Sequence, residues 1–285
     1  MLTVLEAIQL STDYLAKKGI ESPRTNAELL LAEILQCTRL KLYLTFDRPL
    51  NDLEKEKYRE FIQRRGKYEP LQYITGKVEF FGMEFIIKPN VLIPRPETEF
   101  IIEAIIAKHD KSSNIKILDI GCGSGIIPVA LAKYFPNAEI LTLDINEDAI
   151  SCAKENAEKH GLLNSISFEM LDILSEDSGS KLGEYNLIVS NPPYVPELEF
   201  QSLQKEILEF EPKEAVTDFS DGLTFYKRIA ALCKKNLISG GFLYLEIGKG
   251  QSDSIKNILE KNNISDIEIV KDLQNIDRII FGKKI

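Results

Sequence analysis

The 285-residue sequence predicts a doubly wound, Rossmann-like α/β domain preceded by a small helical domain. Three observations predict it. From Ile115 onward, short apolar runs alternate with helical stretches in the order expected of a parallel sheet joined by helical crossovers. The first of those runs ends in a glycine-rich loop just before a helix, at the strand edge where such folds hold their ligands. From Leu2 to about Lys67, by contrast, the apolar residues recur at helical spacing only.

Taken in order, "LTVLEAIQLSTDYLAKKG" places Leu2, Leu5, Ile8, Tyr14 and Leu15 near one helical face and ends at Gly19. "SPRTNAELLLAEILQC" follows, with Ser22 as N-cap and Pro23 at the first helical position. "NDLEKEKYREFIQRRGKY" is a third helix, and its basic end, Arg64, Arg65 and Lys67 beside Tyr58 and Tyr68, reads as a solvated helix end in preference to a binding patch. "FFGMEF" then turns at Gly82 like a hairpin, and Pro89, Pro94 and Pro96 make a stiff, extended linker. After the helical "TEFIIEAIIAKH", seven strand-type runs follow, "IKILDI", "AEILTLDI", "ISFEML", "YNLIVS", "GGFLYLEIG", "IEIVKDL" and "DRIIFG". The division expected is a helical substrate-recognition domain over 1–75, the hairpin and linker over 76–96, and a seven-stranded α/β domain over 97–285.

A composition of 44% hydrophobic and 28% charged residues belongs to a soluble globular protein with a sizeable core. No run approaches the roughly 18 apolar residues of a membrane span, and the N-terminus lacks the basic start and apolar block of a signal peptide, so a cytoplasmic protein is expected. The net charge of −9 disfavours a large nucleic-acid footprint, and the excess acid lies beyond residue 90. Cys37, Cys122, Cys152 and Cys233 form no CxxC pair and suit reduced, packed thiols, so neither a disulfide framework nor a metal site is indicated. Of the two histidines, His160 precedes Gly161 as at a helix end, which points away from a catalytic role.

Chemistry concentrates at four strand ends. "KILDIGCGSGIIPVALA" runs from a strand into Asp119, then Gly121, Cys122, Gly123, Ser124 and Gly125, then a helix. Glycines permit positive φ and let a ligand press on the main chain. The spacing GxGxG matches neither the dinucleotide fingerprint nor the phosphate loop, which argues against NAD and ATP. Asp144 ends the next strand, placed to accept hydrogen bonds from both hydroxyls of a ribose while the glycine loop receives an amino-acid moiety. Asp172 and Ile173 end the third, where a carboxylate can take an adenine amino group and an apolar side chain can cover the ring. The three ends together describe S-adenosylmethionine, the product being S-adenosylhomocysteine.

The fourth strand stops at "SNPPYV". Asn191 emerges at the same sheet edge as the glycine loop, a catalytic position. Its side-chain oxygen and the Pro192 carbonyl can each accept one N–H from a planar NH2 group, holding the nitrogen's lone pair toward the methyl group. Pro192 and Pro193 fix φ near −65° and remove two competing donors. Tyr194 offers an aromatic face for a flat group. These residues alone leave open a protein amide, a DNA adenine or an RNA guanine.

With "EPLQYITG" at Glu69–Gly76, "VLIPRPETE" at Val91–Glu99, "LDIGCGSG" at Leu118–Gly125, "SNPPYV" at Ser190–Val195, "DGLTFYKRI" at Asp221–Ile229 and "GGFLYLEIG" at Gly240–Gly248, nearly the whole chain resembles the peptide chain release factor N5-glutamine methyltransferases, the PrmC/HemK family. The resemblance implies an S-adenosylmethionine-dependent methyltransferase acting on the side-chain nitrogen of the GGQ glutamine in class I release factors, gripped in part by the helical domain. It implies that Gly121 to Gly125 and Asp144 bind the cofactor, that Ile173 covers its adenine, that Asn191 contacts both methyl donor and glutamine, and that Pro192, Pro193 and Tyr194 complete the substrate pocket. A ribosomal-protein glutamine methyltransferase, a nucleic-acid amino methyltransferase and a non-enzymatic adaptor are the other readings weighed. A monomer without nucleic-acid or membrane partners is expected. Two positions depart from the family: Ile173 stands where an aromatic residue is frequent, and Asn275 where glycine is common.

Overall fold

The computed structural model describes residues 2–285, which divide into two compact units. The first comprises the chain up to Lys77 together with Gln204–Phe210; the second comprises Val78–Leu203 and Glu211–Ile285. Apart from Lys77, the hairpin and the proline-rich stretch therefore fall within the second unit.

In the first unit, helices Val4–Lys17, Pro23–Ile34 and Asp52–Arg65 pack Ile8, Leu15, Leu30, Leu31 and Ile62 into one core. Thr3 and Asn51 close capping boxes with Glu6 and Glu54, which supplies partners for the first free amides of those helices. Ser22 precedes the second helix as expected, but its backbone is left-handed (φ 48°) and its side chain makes no cap bond. Asn26 instead donates to the Ser22 carbonyl at 3.1 Å, and Pro23 at the first position needs no acceptor. The basic helix end is only partly solvated: Lys67 is exposed and Arg64 half-buried, but Arg65 is not in solvent. Arg65 is 4% exposed, bonded to Asn26, the Glu69 carbonyl and Glu206, while Arg64 grips Glu69 with two nitrogens. Such paired arginines read as helix-end charge in sequence because their partners are remote or beyond the helix.

The second unit opens with a two-stranded sheet, β1 (Lys77–Phe80) and β2 (Met83–Ile86), whose turn residues Phe81 and Gly82 both have positive φ, the signature of a tight hairpin. The proline stretch is irregular rather than uniformly extended. Asn90 is left-handed, Val91 and Ile93 are buried, and Pro96–Thr98 form a 3-10 turn into helix Glu99–Lys108.

The main sheet has seven strands in the order β5-β4-β3-β6-β7-β9-β8, with β3 Lys116–Ile120, β4 Glu139–Asp144, β5 Ile166–Met170, β6 Tyr185–Ser190, β7 Leu237–Glu246, β8 Ile264–Lys271 and β9 Asp277–Lys284. Strands β3 to β7 are parallel, but β9 inserts antiparallel between β7 and β8, which corrects the all-parallel expectation. Residues 272–276, tied by Asp272 to the amides of Gln274 and Ile276, are too few for a crossover, so β8 must return as a hairpin. Both sheet faces are buried. Ile117, Leu187 and Val189 point into one core and their neighbours Leu118 and Ile188 into the other, which is why these strands read as continuous apolar runs. Among the described residues no helix is long and apolar enough to cross a membrane.

Candidate active site

Strand β3 hands over to the glycine loop at Gly121. Gly121 and Gly123 have φ of +84° and +52°, and a Cβ on either would meet nothing within 4 Å. Their backbone is thus left-handed and faces open space, a floor of bare main chain on one side of a cavity of about 750 Å³. Gly125 differs: a Cβ there would lie 2.9 Å from Ala153, so this glycine lets helix Glu147–Lys159 pack against the loop.

The same cavity is lined by Asp144 at the end of β4, by Asp172 and Ile173 after β5, and by Asn191, Pro192 and Pro193 after β6. Parallel strands deliver their carboxyl ends to one edge, which brings these separated residues together. Asp119, Cys122, Ser124, Gly125 and Tyr194 are not in its wall; Cys122 and Ser124 are buried in the loop's underside at 4% and 2% exposure.

Asp144 is held by its neighbours. Its Oδ2 accepts the Gly123 amide and its Oδ1 the Asn146 amide, each at 3.0 Å, so the carboxylate is fixed with one lone pair left on each oxygen. Asp172 is exposed and accepts the Leu174 amide at 2.8 Å. Ile173 is buried, its carbonyl taken by Ser178 and Arg228. Asp119 lies within β3, fully buried; Oδ2 accepts the Thr142 hydroxyl at 2.5 Å and Oδ1 has no partner. Burial pushes its carboxyl up to about 7 against the pull of Thr142, with Asp144 adding to the rise. A buried carboxylate oxygen without a donor, one residue before Ile120 and Gly121 in the cavity wall, fits a ligand with a positively charged amino group.

The Asn-Pro-Pro-Tyr corner is anchored at Ser190, Asn191 and Tyr194. The Ser190 hydroxyl donates to the Ile120 carbonyl at 2.7 Å, tying the end of β6 to the glycine loop. Asn191 Nδ2 donates to Thr98 Oγ1 at 3.2 Å, Thr98 Oγ1 donates to Glu246 Oε2 at 2.6 Å, and the Tyr194 hydroxyl reaches Glu246 Oε1 at 3.3 Å. Burial pushes the Tyr194 phenol well above its ordinary range. Gln251 Nε2 donates to the Tyr194 carbonyl at 2.9 Å, and a Cβ on Gly222 would come within 2.4 Å of that same oxygen. Tyr194 thus braces the corner by its hydroxyl and carbonyl.

Sequence reasoning did not single out Thr98, Glu246, or the wall formed by Pro212, Glu214, Thr217 and Phe219. The first two lie within "VLIPRPETE" and "FLYLEIG", where no local pattern sets them apart from their neighbours. The wall segment carried no periodic or glycine signal.

Residues 6–76 match the PrmC N-terminal domain and residues 111–274 a methyltransferase domain. A release factor glutamine methyltransferase of Geobacter sulfurreducens is 40% identical over 281 residues, 99% of this chain and 96% of its own. The chain belongs to the release factor glutamine methyltransferase family. Another member, from Fusobacterium nucleatum subsp. nucleatum, is 38% identical over 98% of this chain and 78% of its own. A solved methyltransferase from Pyrococcus furiosus, 17% identical, superposes with a TM-score of 0.51 over 72% of this chain and 90% of its own, a likeness of fold. The methyltransferase domain implies a methyl donor of the S-adenosylmethionine type.

Proposed function

We propose that this protein transfers a methyl group from S-adenosylmethionine to the side-chain amide nitrogen of the GGQ glutamine in class I peptide chain release factors. The observation that carries the reading is the meeting, in one cavity, of the Gly121–Gly123 floor and Asp144 with the hydrogen-bond-accepting corner Asn191–Pro192–Pro193. When bound, S-adenosylmethionine supplies an electrophilic methyl group on a positively charged sulfur. Gly121 and Gly123 receive its amino-acid portion on bare main chain, with Cys122, Ser124 and Gly125 shaping the loop from beneath. Asp119 offers its free oxygen to the ammonium. Asp144 uses its two remaining lone pairs on the ribose hydroxyls, Asp172 accepts from the adenine amino group, and Ile173 covers the ring.

On the acceptor side, Asn191 Oδ1 and the Pro192 carbonyl take the two N–H bonds of the glutamine amide. That grip would orient the π lone pair and stabilise positive charge as the nitrogen–methyl bond forms and the sulfur–methyl bond breaks; S-adenosylhomocysteine is the leaving group, and the N–H made acidic by alkylation gives its proton to water afterwards, so no strong general base need act before attack. Pro193 adds no competing donor, and Tyr194 fixes the corner. Much of the acceleration then comes from holding the two reactants in line. The helical unit, up to Lys77 with Gln204–Phe210, is the release-factor grip, and the unit of Val78–Leu203 with Glu211–Ile285, which takes in the hairpin and the proline stretch, is the catalytic one. The protein acts as a monomer in the cytoplasm, without stable nucleic-acid or membrane partners; its net charge of −9 suits that partner choice.

The test is to incubate the protein with tritiated cofactor and, in parallel, purified class I release factors, ribosomal proteins, DNA and RNA, and to map any label by mass spectrometry. Label on the release-factor glutamine is expected. Label confined to a ribosomal protein or to nucleic acid overturns the substrate assignment.

A further inference from the structure

Asn191 can serve as an acceptor only if its amide is turned the right way round, and nothing in the Asn-Pro-Pro-Tyr run itself decides that. An amide presents oxygen on one side and NH2 on the other, and the two ends differ little in shape. The hydrogen bonds behind Asn191 do decide it. Glu246, 1% exposed at the end of β7, presents its carboxylate to the Thr98 hydroxyl at 2.6 Å. A carboxylate only accepts, so the single hydroxyl proton of Thr98, itself 1% exposed, is committed to Glu246. Thr98 Oγ1 can then only accept, and it accepts Asn191 Nδ2 at 3.2 Å. The second oxygen of Glu246 takes the Tyr194 hydroxyl, so both ends of the corner are fixed to one carboxylate.

We propose that Thr98 and Glu246 are positioning residues for methyl transfer, a polarity relay in which the buried carboxylate orders the Thr98 hydroxyl, the hydroxyl holds the Asn191 NH2, and the Asn191 oxygen is thereby committed to the substrate. This rests on the reading of Asn191 given above. Neither residue is among those lining the cavity, so both act through Asn191. The relay also accounts for polar side chains being buried at these two places, since a buried polar group is costly unless bonded.

The relay has a pH signature. Burial pushes Glu246 up to about 7, against the hydrogen bonds from Thr98 and Tyr194; Glu97 adds to the rise and Arg278 opposes it. The Tyr226 hydroxyl, also facing this residue, bonds to its main-chain carbonyl at 2.9 Å and leaves the carboxyl alone. Once protonated, Glu246 can donate to Thr98, the Thr98 hydroxyl is released to donate in turn, and the Asn191 amide is free to present its NH2 to the cavity. Turnover therefore falls as the pH drops through about 7.

The experiment measures kcat and KM for methylation of a class I release factor with saturating tritiated S-adenosylmethionine, from pH 5.5 to 8.5, in wild type, Thr98→Val, Thr98→Ser, Glu246→Gln and Asn191→Ala, with cofactor affinity by calorimetry. Thr98→Val and Glu246→Gln are expected to lose about tenfold to a hundredfold in kcat at pH 8, with cofactor affinity within about threefold of wild type. Thr98→Ser should retain most turnover, and the limb near pH 7 should vanish in Glu246→Gln, which mimics the protonated acid. Wild-type kcat in Thr98→Val with Asn191→Ala inactive overturns the relay and leaves the role of Asn191 standing; near-normal turnover in Asn191→Ala overturns both. Should Thr98→Val not fold, Glu246→Gln decides: an unchanged kcat and an unchanged acid limb overturn the relay.

Discussion

Asp119 and Glu246 are both buried acids pushed up to about 7, and they lie on opposite sides of the reaction. Asp119 sits beneath the proposed cofactor floor with one oxygen unpaired, so a bound ammonium would favour its ionised form and binding would release a proton. The sign follows: affinity is full above pH 7 and weakens below it, by about tenfold between pH 8 and pH 6 for one linked proton. Calorimetric titration with S-adenosylhomocysteine at the two pH values checks this. Wild type should show the loss and Asp119→Asn should be flat; equal affinity in wild type at both values would rule the linkage out. Because this effect falls on binding, it separates cleanly from the Glu246 limb in kcat measured at saturation. At this scale the sequence was only partly informative. Asp144, Asp172, Ile173 and Asn191 were recognisable because each ends a strand, whereas Thr98 and Glu246 matter through partners 93 and 148 residues away, a separation that no local pattern carries.

Among the elements, the parallel strands and their loops place the site, and the corner after β6 depends on support from two other segments. Gly222, at φ +76°, passes so close to the Tyr194 carbonyl that a Cβ would stand 2.4 Å from it. Gly250 has a similar φ of +82° but open space around it. Gly250→Ala should cost only the strain of a left-handed alanine, about 1 kcal/mol, while Gly222→Ala should cost about 2 to 4 kcal/mol and lower turnover by displacing the corner. Chemical denaturation of the two variants beside wild type tests the difference, and equal stability losses would contradict it. The strands, the hairpin at Gly82 and the three main helices of the first unit were legible in the sequence, because period and capping are local. The antiparallel return of β9 was not, since an apolar run states that a strand is buried and leaves its direction to the connection. Asn275 adds a local detail: at φ +63° it occupies a left-handed position in the β8–β9 turn, a conformation that suits glycine and that asparagine tolerates.

For the whole molecule, family membership and the cavity fit one chemistry: the glycine loop, Asp144 and the Asn191–Pro193 corner meet at a single sheet edge in a release factor glutamine methyltransferase. Fold and broad chemistry could be read from strand alternation, the glycine loop and the Asn-Pro-Pro-Tyr run, but that run alone fits several planar amines. The protein substrate entered through blocks distant from it, "PLQYITG" and "LIPRPETE", and the second of these contains Thr98, which holds Asn191. The most direct measurement treats a class I release factor with wild type and with Asn191→Ala, both shown to bind cofactor, and fragments the product by mass spectrometry. The expected result is one added methyl group on the side-chain amide of the GGQ glutamine with wild type, and a rate lower by about a hundredfold or more with Asn191→Ala. Methylation at any other residue, or Asn191→Ala turnover near that of wild type, would contradict it.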